Sequence, residues 1–277
     1  MSNNKSKARK NAQGKTPLAE THGSKSTPDP DFMTSLARGL SVMRAFSRNS
    51  PRMTPSQVSA ATRLSRAAVR RCLHTLRLLG FVDVEETNQF SLSHRVLTLS
   101  HAYTSSSRLP RAAQPILEKL RGILHESCSV ATLVDDELLY VARAHVSRIM
   151  TVDLAIGSRL PAYCTSMGRV LLAHLPAPHL DQYLRRVKLE RHTVRTVTSE
   201  SKLRKILETV HFQGYAVVDQ ELEDGLRSVA VPVRAGREVV AALNIGTQAL
   251  RMPMEEIESR ILPALLQAAA KLSQALL

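Results

Sequence analysis

Two helix starts eleven residues apart constrain this chain more than anything else in it. They lie in "TPSQVSAATRLSRAAVRRCLHTLRLLGFVDVEETNQFSLS", residues 54–93. Thr54-Pro55-Ser56-Gln57 offers a capping hydroxyl, a proline suited to the first helical position and a glutamine that completes a capping box. Ser65 is the next capping residue, so one short helix ends near Arg63 and another runs to Leu79, where Gly80 stops it. Val69, Cys72, Leu73, Leu76 and Leu79 share one side of the later helix, and Arg66, Arg70, Arg71, His74 and Arg77 fall largely outside it. Val82 and Val84, then Phe90 and Leu92, alternate with polar residues around a turn at residues 86–88, which predicts a hairpin. Upstream, Leu36, Leu40, Met43 and Phe46 recur at helical spacing over residues 32–46, before Pro51 interrupts. Three helices and a hairpin make a winged helix-turn-helix over residues 32–93.

The charge distribution agrees with that reading. Residues 32–108 hold eleven Arg, no Lys and three acids, a net +8 out of +14 for the whole chain. A helix that seats its apolar stripe on two others leaves its opposite face free for the major groove of double-stranded DNA, where arginine reads guanine edges. The residues expected to meet operator DNA are Thr54, Ser65, Arg66, Ala67, Arg70, Arg71 and His74, since the start of a recognition helix reaches bases most easily.

Residues 1–31 are rich in Ser, Asn, Lys, Thr and Pro without apolar periodicity and read as a disordered basic tail. Residues 94–108, "HRVLTLSHAYTSSSR", read as a linker helix ending at a serine run, with an apolar side suited to another subunit. Residues 109–277 alternate helices and strands. The expected helices are "RAAQPILEKLRGILHES", with Pro115 near its first turns, "TSMGRVLLAHL", "APHLDQYLRRV", "SESKLRKILETVHFQG" and a long terminal one. The expected strands are two within "CSVATLVDDELLYVARA", then "RIMTVDLAI", "YAVVDQE", "LRSVAVPVRAG" and "EVVAALNIGTQ", with "GSRLPAY" as a loop. Strand runs flanked by helices and joined by hairpin-like turns predict an α+β domain with a mainly antiparallel sheet, able to enclose a small-molecule pocket.

Several classes are set aside. No apolar run of eighteen residues exists, and no h-region follows the N-terminal cations, so neither a membrane span nor a secretory signal is expected. Three widely spaced cysteines make neither a disulfide framework nor a zinc pattern, as expected of a cytoplasmic protein. The catalytic and phosphate-binding motifs G-x-S-x-G, G-x-G-x-x-G, the P-loop and H-E-x-x-H are missing. Cys164 has no base linked to it, and the His174/His179 pair straddles two prolines, so no enzyme, cofactor or metal site is expected.

Together with the winged headpiece and linker, "GSRLPAYCTSMGRVLLAHL" and "GYAVVDQELEDGLRSVAVPVR" resemble the IclR family of bacterial transcriptional regulators. The likeness runs from Phe32 to Leu277. "RIMTVDL" and "RLPAY.TSMGRVLLA" look most like its β-ketoadipate branch, the PcaR/PcaU/PobR group. The resemblance implies a GAF-like effector domain that also oligomerises the chain, as a dimer or tetramer. It implies an activator that engages RNA polymerase and responds to an aromatic acid or ring-cleavage dicarboxylate: protocatechuate, 4-hydroxybenzoate or β-ketoadipate. A repressor, or a regulator answering to glyoxylate or a sugar acid, is the alternative on the same fold. Carried over residue by residue, the effector site draws on residues 162–168, Tyr163, Thr165 and Ser166 among them, and on Ser228, Asn244 and Gly246. A buried carboxylate needs a cation or several N–H donors, and Arg148, Arg159 and Arg143 stand near those segments in sequence.

Overall fold

The computed structural model describes residues 29–146 and 154–277. The chain divides into two compact units, with the break between Ala102 and Tyr103.

In the first unit α1 (Thr34–Ala45), α2 (Pro55–Thr62) and α3 (Arg66–Leu78) precede a hairpin of β1 (Val82–Val84) and β2 (Phe90–Leu92). Thr54 caps α2 in a full capping box with Gln57, and Ser65 caps α3 by accepting from the Ala68 N–H at 3.2 Å. Between them Arg63 takes a left-handed conformation, and Ser59 Oγ donates to the Leu64 carbonyl at 2.6 Å, so the turn is tied down by short local bonds. Met53 and Phe90 exchange backbone hydrogen bonds at 2.9 Å, adding a third short arm to the wing. Val42, Phe46, Val58, Val69, Leu73 and Val82 close the core.

Two details differ from the sequence pattern. Leu36 and Leu40 are exposed, because α1 packs through Val42, Ala45 and Phe46 near its C-terminal end. Leu79 is also exposed, since it lies past the last turn of α3, where the chain bends at Gly80 with φ +77°.

α4 (Val96–Ser106) runs through the serine run, and α5 (Arg108–Leu124) begins at once, with Pro115 inside it rather than near its start. The second unit holds a six-stranded, wholly antiparallel sheet. Its strands are β3 (Ser127–Val134), β4 (Glu137–Ala144), β5 (Arg159–Pro161), β6 (Ala216–Asp219), β7 (Leu226–Ala235) and β8 (Glu238–Gln248), in the order β5-β4-β3-β8-β7-β6. β5 forms inside the stretch expected to be a loop. Of the strand expected over residues 148–156, residues 154–156 are in no strand and the rest lies outside the described residues, as does the tail as far as residue 28.

Period-two alternation divides the sheet. Cys128, Val130, Val229, Val231, Leu243 and Ile245 face α5 and α10 (Leu262–Ala275). Before α10 come a turn of helix, α9 (Met254–Glu256), and a widened π-type turn over Ile257–Ile261, beside Pro263, which has no N–H to continue an α-helical ladder. On the other face Ala131, Ala230 and Ala242 meet α6 (Ser166–Ala173) and α8 (Glu200–Gln213), with α7 (Ala177–Arg186) beyond. Small residues on this face let α6 approach the sheet closely. At Gly168 an added Cβ would sit 2.0 Å from the Ala162 carbonyl oxygen. Gly168→Ala is therefore expected to displace α6 and destabilise the domain by about 1–3 kcal/mol, read by urea denaturation. An unchanged midpoint would mean that the contact is soft.

Candidate functional site

The first candidate surface is the outward face of α3. Ser65, Arg66, Ala67, Arg70, Arg71 and His74 are all exposed there, with Arg77 beside them. None of these arginines forms an ion pair with a described residue, and Glu85 on the wing is taken by Arg52 at 2.6 Å. The guanidinium groups thus stand in water, as a polyanion-binding face requires. Thr54 is different. Its hydroxyl both accepts from the Gln57 N–H and donates to Gln57 Oε1, so capping consumes it.

The second is a cavity between the sheet and the first turn of α6. Its empty volume, open mouth included, is about 640 Å³. Ser127 and Ser129 of β3, Arg143 of β4, Ser228 of β7 and Asn244 and Gly246 of β8 line one wall. The strand register explains the grouping: Ser127 and Ser228 both pair with Gly246, while Asn244 and Arg143 both pair with Ser129. A bulge where β3 and β4 shift register at Val130/Ala131 turns Tyr140 and Arg143, three residues apart, to the same side. Cys164, Thr165, Ser166 and Met167 form the facing wall, and Leu160, Leu222 and Leu226 supply apolar sides.

The cavity sets one cation and several polar groups against apolar sides. Arg143 Nη1 donates to Ser129 Oγ at 2.9 Å, which holds the guanidinium at the wall. Ser166 Oγ and Asn244 Oδ1 are buried and find no hydrogen-bond partner among the described residues, a costly state unless something in the cavity completes them. The first residues of α6 line the cavity as well, and a helix N-terminus favours negative charge. Burial pushes the Cys164 thiol up to about 12, so it stays protonated at neutral pH and is a poor nucleophile.

Of the residues expected at the effector site, Thr165, Ser166, Ser228 and Asn244 line the cavity, with Arg143. The Thr165 hydroxyl is already committed, donating to the Pro161 carbonyl at 2.9 Å. Arg159 does not line it. It alternates with cavity-lining Leu160 on edge strand β5 and pairs with Glu137 at 2.7 Å and Asp135 at 3.4 Å. Tyr163 is also outside, packed with Tyr183, Leu184 and Leu203 while its hydroxyl donates to the Glu190 carbonyl at 2.7 Å. Arg148 lies outside the described residues.

Ser127, Ser129 and Tyr140 were not legible as cavity residues, because small polar residues and one tyrosine in a strand carry no signal until register aligns them. The same holds for a buried ion pair behind the α6 wall. Arg169, 3% exposed, meets both oxygens of Glu221 at 2.7 Å and donates through Nε to the Tyr163 carbonyl at 3.0 Å. Glu221 also accepts from the Val197 N–H at 3.0 Å. One guanidinium therefore fastens together the segments that carry Cys164 to Met167 and Leu222.

Both units match known families. Residues 35–86 match the IclR helix-turn-helix domain, and residues 101–274 match the bacterial transcriptional regulator IclR C-terminal domain. The chain is 50% identical over 248 residues to the Pca regulon regulatory protein of Pseudomonas putida, covering 89% of this chain and 85% of that one. It is 35% identical over 261 residues to the p-hydroxybenzoate hydroxylase transcriptional activator of Acinetobacter baylyi, covering 92% and 96%. Among solved structures, an IclR homolog from Microbacterium hydrocarbonoxydans complexed with 4-hydroxybenzoate aligns with a TM-score of 0.73 at 25% identity, over 88% of this chain and 99% of that one. An arginine-bearing helix-turn-helix, a polar cavity under a helix and matches spanning both units lead to one conclusion: the chain belongs to the IclR family of transcriptional regulators.

Proposed function

We propose that this protein is an effector-dependent regulator of genes for aromatic-acid catabolism, working in the cytoplasm as a homo-oligomer and activating transcription through RNA polymerase. α3 binds operator DNA with Arg66, Arg70 and Arg71, and the cavity binds the effector carboxylate at Arg143 and Ser166, while Asn244 Oδ1, an acceptor, takes a hydroxyl donor of the effector. The observation that carries the reading is a pair of buried polar atoms without a hydrogen-bond partner among the described residues: Asn244 Oδ1 on the same wall as Arg143, and Ser166 Oγ on the wall facing it across a part-apolar cavity. The Pseudomonas and Acinetobacter relatives, named for the Pca regulon and for p-hydroxybenzoate hydroxylase, support the class of ligand, as does the homolog crystallised with 4-hydroxybenzoate. The protein is not an enzyme in this reading, and the protonated thiol of Cys164 supports that.

Isothermal titration with protocatechuate, 4-hydroxybenzoate and β-ketoadipate tests the proposal. One of them is expected to bind, and Arg143→Met to weaken it by about 10–100-fold, the worth of a charge-assisted hydrogen bond. No heat from any of the three overturns the ligand class. Unaltered affinity in Arg143→Met overturns the role given to that side chain.

A further inference from the structure

α6 ends at Ala173 with His174 as its C-cap, and the last turn of α8 carries His211. Their rings lie 5.0 Å apart between centroids, with planes inclined at 42°. His174 Nδ1 is 2.8 Å from the Val170 carbonyl oxygen, and His211 Nδ1 is 2.8 Å from that of Ala173. A carbonyl oxygen only accepts, so each Nδ1 carries a proton, which leaves Nε2 as the nitrogen of each ring open to a ligand.

Two imidazoles, each oriented through Nδ1 by a main-chain carbonyl, reproduce the support that histidine ligands receive in metal sites. Spacing agrees as well: with metal–nitrogen bonds of about 2.0–2.1 Å, two imidazoles in neighbouring positions on one ion have centroids about 4.5–5 Å apart, from a right angle to a tetrahedral one. We propose that His174 and His211 together bind one divalent ion of the late first transition row through their Nε2 atoms, stapling the C-terminal ends of α6 and α8. Among the described residues no third His, Cys, Asp or Glu joins them, so water completes the coordination and the ion is exchangeable. Cu(II) is the favoured occupant, because it binds imidazole most strongly in the series and so best withstands the positive charge of Arg234.

Titrating the full chain with CuCl2, followed calorimetrically and by electron paramagnetic resonance, tests this. The wild type is expected to bind one equivalent with two equatorial imidazole nitrogens. His174→Ala and His211→Ala should each lose one nitrogen and about 10-fold or more in affinity, while His179→Ala keeps both. His211 is exposed, so that variant is expected to fold, as circular dichroism will show. The absence of Cu(II) binding, or binding that both single variants retain unaltered, overturns the proposal.

Discussion

Replacing Glu221 by Gln is expected to lower the unfolding free energy by about 3–5 kcal/mol, which places it among the most damaging single substitutions available in this chain. The reason is asymmetric. The intact pair satisfies itself: both carboxylate oxygens meet the Arg169 guanidinium at 2.7 Å, Nε reaches the Tyr163 carbonyl, and the Val197 N–H completes Glu221. The amide leaves a guanidinium of 3% exposure without its counter-charge in a low-dielectric interior. Arg169→Met should be similarly harmful by stranding the carboxylate. The double substitution Arg169→Met/Glu221→Leu should recover a large part of the loss, because two apolar side chains need no counter-charge. Urea denaturation of the three variants, analysed as a double-mutant cycle, measures the coupling. Single variants within about 1 kcal/mol of wild type, or a double variant worse than the sum of the singles, would sink this account.

The second large effect concerns DNA. Arg66 and Arg70 lie one turn apart on the exposed side of α3. If each bonds a guanine edge, each alanine substitution costs about 1–3 kcal/mol, and together they cost roughly 30-fold to more than 10⁴-fold in operator affinity. Sequence preference should relax at two positions. If both meet phosphates instead, affinity falls alike for all sequences and the salt dependence flattens by about 0.9 in log–log slope per lost contact. Footprinting and salt-dependent anisotropy on upstream DNA separate these outcomes. An unaltered footprint and slope in the double variant would remove α3 from the interface.

How much of this was legible depended on how local the interactions are. The Thr54 and Ser65 caps, the Gly80 and Gly214 stops and the β7–β8 turn through Gly236 could be read directly, because each is decided by a few neighbouring residues. So could the two-residue turn at Asp135-Asp136, where Asp135 adopts the left-handed backbone that the side chain tolerates. Periodicity overreached where it met the edges of packing, at Leu36, Leu40 and Leu79. β5 escaped notice because three residues on a sheet edge carry too short a pattern to distinguish from a loop.

The cavity divides the same way. Proximity in sequence made Arg159 and Arg143 look equivalent, but an edge-strand alternation sends one to Glu137 and a register shift turns the other inward. Nor could 52 residues of separation announce that Arg169 and its partner in the loop after β6 would meet, or that His174 would face His211 instead of His179. From its sequence alone this protein determined where its helices begin and end, which face of α3 is apolar, and that its headpiece is strongly basic, because these follow from contacts within a turn or two of chain. Which side chains share the cavity, which charges are buried together and which histidines become neighbours were decided by the tertiary structure, since strand register and helix docking bring together residues whose spacing along the chain holds no trace of the encounter.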